Sequence, residues 1–132
     1  MLLLDTHVWW WAISEPAQLS PLATKTIQHA QQHQEPLCIA SISLWEFAMM
    51  VTRGRIRLQI TPQEWFDHAL HNAGTHVLEL TPEIALETCA LPGEFHKDPA
   101  DRMIVATARI YQATLITKDQ KILDYPHVHT VW

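Results

Sequence analysis

Five acidic residues, Asp5, Glu46, Asp98, Asp101 and Asp119, fall where short apolar runs pass into helix-like segments. If those runs are parallel strands, their carboxyl ends share one edge of a sheet, the edge where open α/β sheets bind ligands. Four or five carboxylates from separate segments would then meet. Such a cluster is self-repulsive unless a cation joins it, and too few basic residues are placed to neutralise it. Carboxylate oxygens suit Mg²⁺ or Mn²⁺, and those ions on an acidic cluster serve phosphoryl-transfer chemistry. Each residue also has a local alternative. Ser43-Leu44-Trp45-Glu46 has capping-box spacing, Asp98 before Pro99 suits an N-cap with Asp101 at the third helical position, and Asp119 suits a turn. Helical periodicity weighs against the local reading for two of them. Asp101 shares a face with Ile104, Val105 and Ala108, and Glu46 with Ile42, Met49 and Met50, so both carboxylates end apolar stripes. A carboxylate there must be paired, hydrogen-bonded or bound to a cation.

The segments that would position these residues alternate between strand and helix. Leu2–Leu4, Leu37–Ala40, Thr114–Thr117 and Val128–Val131 read as short buried strands, and His76–Leu80 as a strand or an extended connector. Thr6–Ser14 is helix-like. Ser20-Pro21 opens a helix to about His33, with Pro36 beyond it. Ser43 opens one through Thr52, ended by Gly54. Thr61-Pro62 with Glu64 caps a helix that closes at Gly74, and Thr81-Pro82 one to about Ala90. Leu91–Lys97 is a loop, and Asp98-Pro99 caps a helix to about Gln112. Strands of four or five apolar residues between helices predict a parallel sheet covered on both faces. With no repeat, low-complexity stretch or linker, the expectation is one α/β domain over residues 1–132.

The chain has 132 residues, 48% apolar and 17% charged. That length buries roughly 70% of the unfolded surface, enough to fold without disulfides or a structural metal. The composition excludes a disordered tail. The longest apolar run, Val8–Ile13, is far below the roughly 18 residues of a membrane span. Asp5 interrupts the opening leucines, against a signal peptide. Cys38 and Cys89 form no spaced motif and read as reduced core thiols of a cytoplasmic protein. The net charge of −5 argues against a protein that coats nucleic acid, yet a local basic rim can still bind phosphate. Arg53, Arg55 and Arg57 fall in one segment, and Lys97, Arg102, Lys118 and Lys121 in two others.

Four segments in order resemble the PIN-domain ribonucleases, and more narrowly the VapC-type toxins of bacterial toxin–antitoxin pairs. They are Leu3-Leu4-Asp5-Thr6-His7-Val8-Trp9, Ser41-Ile42-Ser43-Leu44-Trp45-Glu46, His96 through Ile104 with its Asp98-Pro99-Ala100-Asp101-Arg102 core, and Leu115-Ile116-Thr117-Lys118-Asp119. The resemblance implies a three-layer α/β/α sandwich with a parallel central sheet. It also implies a Mg²⁺- or Mn²⁺-dependent endoribonuclease, the toxin of a type II pair with a cognate antitoxin, and a homodimer. By position, Asp5, Glu46 and Asp101 match the family's core acidic triad and Asp119 the fourth, more variable site. Asp98 matches an acidic residue of the subfamily whose metal role is less general. Thr6 and Thr117 fall where hydroxyls support the site. Met49-Met50-Val51 departs from relatives that carry a lysine after the glutamate, so that basic contact is either missing here or supplied by Arg53. The implied reaction is hydrolysis of an RNA phosphodiester, with Asp119 or Asp98 orienting the attacking water. Arg53, Arg55, Arg57, Lys97, Arg102 and Lys118 are expected to contact the RNA backbone.

The remaining features take plainer readings. His29/His33 and His68/His71 have helical spacing but no third ligand, which does not suit zinc. His7 and His96 flank the acidic edge, and His7 reads as structural. Trp9, Trp10 and Trp11 point about 100° apart on a helix, so at least one should face solvent or a partner. Two rival functions are a phosphoacceptor domain, which wants adjacent acids after the first strand, and a catalytically silent PIN-like module binding RNA or protein, which would have lost core acids. Here Thr6 and His7 follow Asp5, and the acids are all kept.

Overall fold

The computed structural model describes residues 1–132. Its centre is a sheet of five parallel strands, β1 (Leu2–Leu4), β2 (Leu37–Ala40), β3 (Thr75–Leu78), β4 (Thr114–Ile116) and β5 (Thr130–Val131), in the order β3-β2-β1-β4-β5. Seven α-helices connect them: α1 (Thr6–Ser14), α2 (Pro21–Gln32), α3 (Ile42–Thr52), α4 (Pro62–Asp67), α5 (Pro82–Cys89), α6 (Pro99–Ile110) and α7 (Gln120–Leu123). A 3₁₀ turn (Pro16–Gln18) follows α1, and one π-type stretch (His68–Asn72) extends α4. None of the helices is long and apolar enough to cross a membrane.

The period-2 geometry of strands sorts their side chains into two cores. Leu2, Leu4, Ile39 and Ile116 join Val8, Trp9, Trp10, Ile27, Phe47, Met50 and Trp65 on the face covered by α1–α4. Leu3, Cys38, Ala40 and Leu115 point the other way, onto Ile84, Ile104, Val105, Ala108 and Ile122 of α5–α7. The register agrees, because Leu3 lies opposite both Cys38 and Leu115. The expected α/β/α sandwich is therefore built, with one aromatic-rich layer and one of small and aliphatic residues.

The chain works outward from β1 to β2 and β3, then returns to add β4 and β5 on the opposite side. This reversal leaves a crevice at the carboxyl ends of β1 and β4. The caps expected from sequence are present at α2 (Ser20), α4 (Thr61 with Glu64), α5 (Thr81) and α6 (Asp98). Gly54 ends α3 in a left-handed conformation, as expected, whereas α2 and α6 are followed by left-handed Gln34 and Gln112. The segment expected over His76–Leu80 is a strand that begins one residue earlier and ends two earlier, at Thr75–Leu78, and pairs along the whole of β2.

Three expectations are corrected. Helix α3 begins at Ile42, with Ser41 preceding it and no side-chain cap. Ser43 is buried and bonded to Thr6, so the Ser43–Glu46 capping box does not form. Cys89 is exposed, unlike the buried Cys38, because it ends α5 away from the packed face.

Candidate active site

Asp5 follows the last residue of β1 and is 8% exposed. Its backbone N–H donates to the Ile116 carbonyl (3.0 Å), which ties it to β4. One carboxylate oxygen accepts from the Thr6 N–H (2.7 Å) and so caps α1, and the other accepts from the Thr117 hydroxyl (2.6 Å). The Thr117 hydroxyl in turn accepts from the Asp119 N–H (3.0 Å), linking the two acidic positions across the crevice. Asp119 caps the short α7 through Oδ1, at 2.8 Å from the Lys121 nitrogen, which leaves Oδ2 uncommitted.

Glu46 lies one turn inside α3. The Thr6 hydroxyl is 2.6 Å from Glu46 Oε1 and 2.9 Å from the Ser43 hydroxyl. A hydroxyl has one proton, so Thr6 donates to the carboxylate and accepts from Ser43. Asp98 is exposed at the N-cap of α6, where Oδ1 accepts from the Asp101 N–H at 3.1 Å. Asp101 stands in the first turn of α6, above buried Ile104, Val105 and Ala108. His96 Nε2 approaches Asp101 Oδ2 to 3.1 Å without hydrogen-bond alignment, and that buried nitrogen has no other partner.

Asp5, Glu46, Asp101 and Asp119 line one cleft of about 460 Å³, with His7, Trp11 and Lys118 as the other walls. No lysine or arginine forms an ion pair with any of these carboxylates or with Asp98. The electrostatic consequence is large at Asp101. Burial, then the charges of Asp5, Asp98, Glu46 and Asp119, push its carboxyl up to about 7. Burial also raises Asp5, against the hydrogen bonds from Thr117 and Thr6. It raises Glu46 as well, against the Thr6 hydroxyl and with the charges of Asp5 and Asp98.

This donor set fits a hard divalent cation: all oxygen, partly desolvated, mutually repulsive and without a protein counter-charge. No three of these side chains close into a tight cage.

The basic residues separate sharply. Lys118 lines the cleft. Arg53, Arg55 and Lys97 are exposed and do not line it, and Arg53 ends α3 about 10 Å along the helix from Glu46. Arg57 lines a different hollow with Trp10, Ser14 and Trp65. Arg102 is committed to the carbonyls of Thr88 (3.1 Å), Phe95 (3.0 Å) and His96 (3.3 Å), so it clamps the loop before α6 and is not free to meet a substrate. His7, read as structural, is instead exposed on the cleft wall. Trp9 and Trp10 are buried, and Trp11 is the half-exposed member of the triplet. The i, i+4 spacing of His7 and Trp11 was the available signal that both share the face next to Asp5.

Comparison with known proteins agrees with this architecture. The PIN-domain profile matches residues 2–128. Ribonuclease VapC22 of Mycobacterium tuberculosis is 38% identical over 99% of this chain and 98% of its own length. Among solved structures, VapBC2 from Rickettsia felis bound to a promoter DNA fragment superposes with a TM-score of 0.72 at 16% identity, covering 98% of this chain and 96% of that one. DNA-bound VapBC from Salmonella typhimurium gives a TM-score of 0.70 at 18% identity, with the same coverages. The chain belongs to the PIN-domain family.

Proposed function

We propose that this protein is a Mg²⁺- or Mn²⁺-dependent endoribonuclease, a VapC-type toxin of the cytoplasm held in check by a cognate antitoxin. The observation that carries this reading is the cleft in which Asp5, Glu46, Asp101 and Asp119 meet from four chain segments without a basic partner. The 38% identity to a full-length ribonuclease supports the substrate class.

Asp5, Glu46 and Asp101 would hold the cation, with Asp119 on the same cleft. When bound, a divalent cation neutralises phosphate charge and lowers the pKa of the attacking water. The chain's own groups do the rest. Thr117 and the Thr6 N–H fix both oxygens of Asp5, and the Thr6 hydroxyl fixes Oε1 of Glu46, so the ligands are oriented before anything binds. Asp119 Oδ2, free of cap duty, orients the water and takes its proton. The water oxygen would bond to phosphorus as the bond to the 3′ oxygen breaks, and the 3′ oxygen would leave with a proton taken from solvent, giving a 5′-phosphate and a 3′-hydroxyl. Lys118 neutralises a backbone phosphate.

A cleavage assay on mixed RNA, with and without millimolar Mn²⁺, tests the reading. Metal-dependent endonucleolytic products are expected. Intact RNA with purified, folded protein in Mn²⁺ would leave the rival reading, a non-catalytic binding module.

A further inference from the structure

Three consecutive tryptophans on α1 have three different fates. Trp9 is fully buried, its indole N–H donating to Thr75 (3.0 Å), and it packs edge-on to Phe47 and Trp65. Trp10 joins the same aromatic cluster. Trp11 packs on the margin of that core and has other ring neighbours. Its ring neighbours are His7 at 5.7 Å, Trp132 at 5.9 Å and the Lys118 ammonium at 5.7 Å from the ring centre. It is half-buried, and it is the one hydrophobic side chain lining the acidic cleft.

A flat π surface with a cation over it, set into a cleft of carboxylates, is an unusual wall for a site that needs only to hold metal ions. It suits a ligand that carries an aromatic ring and a negative charge side by side. A nucleotide has that chemistry, since every base presents a π face whatever its sequence. We infer that Trp11 is a substrate-binding residue that stacks an unpaired base of the RNA next to the phosphate being cut, with His7 and Trp132 bracing the indole. The ammonium of Lys118 caps the ring in the free protein. A stacking base displaces it, and the released lysine meets the backbone phosphate. This inference rests on the ribonuclease reading and assigns that site a subsite for a base.

Equilibrium binding of fluorescein-labelled 12-mers separates the two ideas. The probes are oligo(A) and oligo(U) of 2′-O-methyl RNA, a fully abasic ribose-phosphate 12-mer of equal charge, and a 12-base-pair RNA duplex. All are measured in Ca²⁺ at fixed salt against the parent, W11F and W11L. The parent is expected to prefer base-bearing single strands over the abasic chain. W11L keeps apolar bulk against Trp132 but has no ring, and should lose roughly tenfold for the base-bearing strands. Its affinity for the abasic chain should not fall, because loss of the ring leaves Lys118 free to meet phosphate. W11F should recover most of the loss. Equal binding by parent and W11L overturns the stacking role, and so does a W11L defect that is the same for abasic and base-bearing strands, which marks a structural role. A W11L protein that binds every oligomer like the parent but loses affinity for a partner polypeptide assigns the face to protein docking and also overturns it. A parent that binds none of the four probes overturns the ribonuclease reading itself.

Discussion

Helix α6 carries a half-buried carboxylate problem at each end and solves the two differently. At its C-terminal end, Arg109 pairs with Glu87 of α5 at 2.5 Å and also donates to the His127 carbonyl. At its N-terminal end, Asp101 faces four other carboxylates, and its one close cationic candidate, His96, is misaligned. Exposure does not distinguish them, since the Glu87 side chain is 22% exposed and the Asp101 side chain 19%. The difference lies in the partner. A carboxylate that serves stability is given a fixed guanidinium. On the proposed reading, one that serves a cation from solution is left without a protein counter-charge, at a cost to the metal-free fold. Half-burial therefore identifies a site only when the counter-charge is missing as well.

The comparison breaks most decisively at Glu46. Gln keeps the shape and the hydrogen bond from Thr6 but removes the charge. Glu46→Gln is expected to fold normally and to lose turnover by several tens-fold or more, if the lost ligand costs on the order of 3 kcal/mol at the transition state. Asp5→Asn and Asp101→Asn should behave alike. Glu87→Gln should leave turnover at the parent level. Cleavage rates of purified variants in Mn²⁺ decide it, and equal losses at Glu46 and Glu87 would erase the distinction between the two kinds of carboxylate.

The opposite end responds in the other currency. Arg109→Met strands Glu87 and frees the His127 carbonyl, and should cost about 1–2 kcal/mol in urea unfolding with no change in cleavage rate. That end was invisible to sequence reading, because residues 87, 109 and 127 meet only through tertiary packing. The acidic end was legible because strand ends, caps and helical stripes are local patterns. Those patterns also supplied the sheet and most helix boundaries. What they missed depended on long-range contacts. Ser43 looked like a cap until Thr6, 37 residues away, took its hydroxyl. Arg102 looked like a phosphate contact until the loop carbonyls of Phe95 and His96 folded onto it. The distinction between Lys118 and the arginines of 53–57 follows from the direction of α3, which carries residue 53 away from the cleft.

The same contrast predicts a pH effect. The Asp101 carboxyl sits at about 7 in the folded chain, against an ordinary value of 3.8. The folded state therefore holds this proton more tightly than the unfolded state. The stability that comes from it is present in full below pH 4 and is lost as pH rises through 7. Burial of Asp5 and Glu46 acts in the same direction. In EDTA, the parent's melting temperature should fall between pH 5 and pH 8 by more than that of Asp101→Asn. Millimolar Mn²⁺ at pH 8 should raise the parent's melting temperature and raise the variant's less, because the ion binds only the folded site. A parent and variant with parallel pH profiles would mean that the carboxylates do not repel one another.

Asp98 is the test with the smallest expected effect, because it belongs partly to both ends of the comparison. It is exposed, its Oδ1 caps α6 through the Asp101 N–H, and its charge adds to the rise at Asp101 and Glu46. Asn is as good a cap as Asp. Asp98→Asn should therefore keep the stability of α6 and, by removing one repulsive charge, ease Asp101 back toward the ordinary carboxylate range. Its cleavage rate should stay within a few-fold of the parent, in contrast to Asp101→Asn three residues further on. Asp98→Ala removes the cap as well and should cost about 1 kcal/mol of stability. If Asp98→Asn instead loses turnover as severely as Glu46→Gln while melting like the parent, the charge of Asp98 matters more than its cap. The ligand set would then extend onto the exposed first residue of the Asp98–Arg102 segment, and burial would no longer mark its limit.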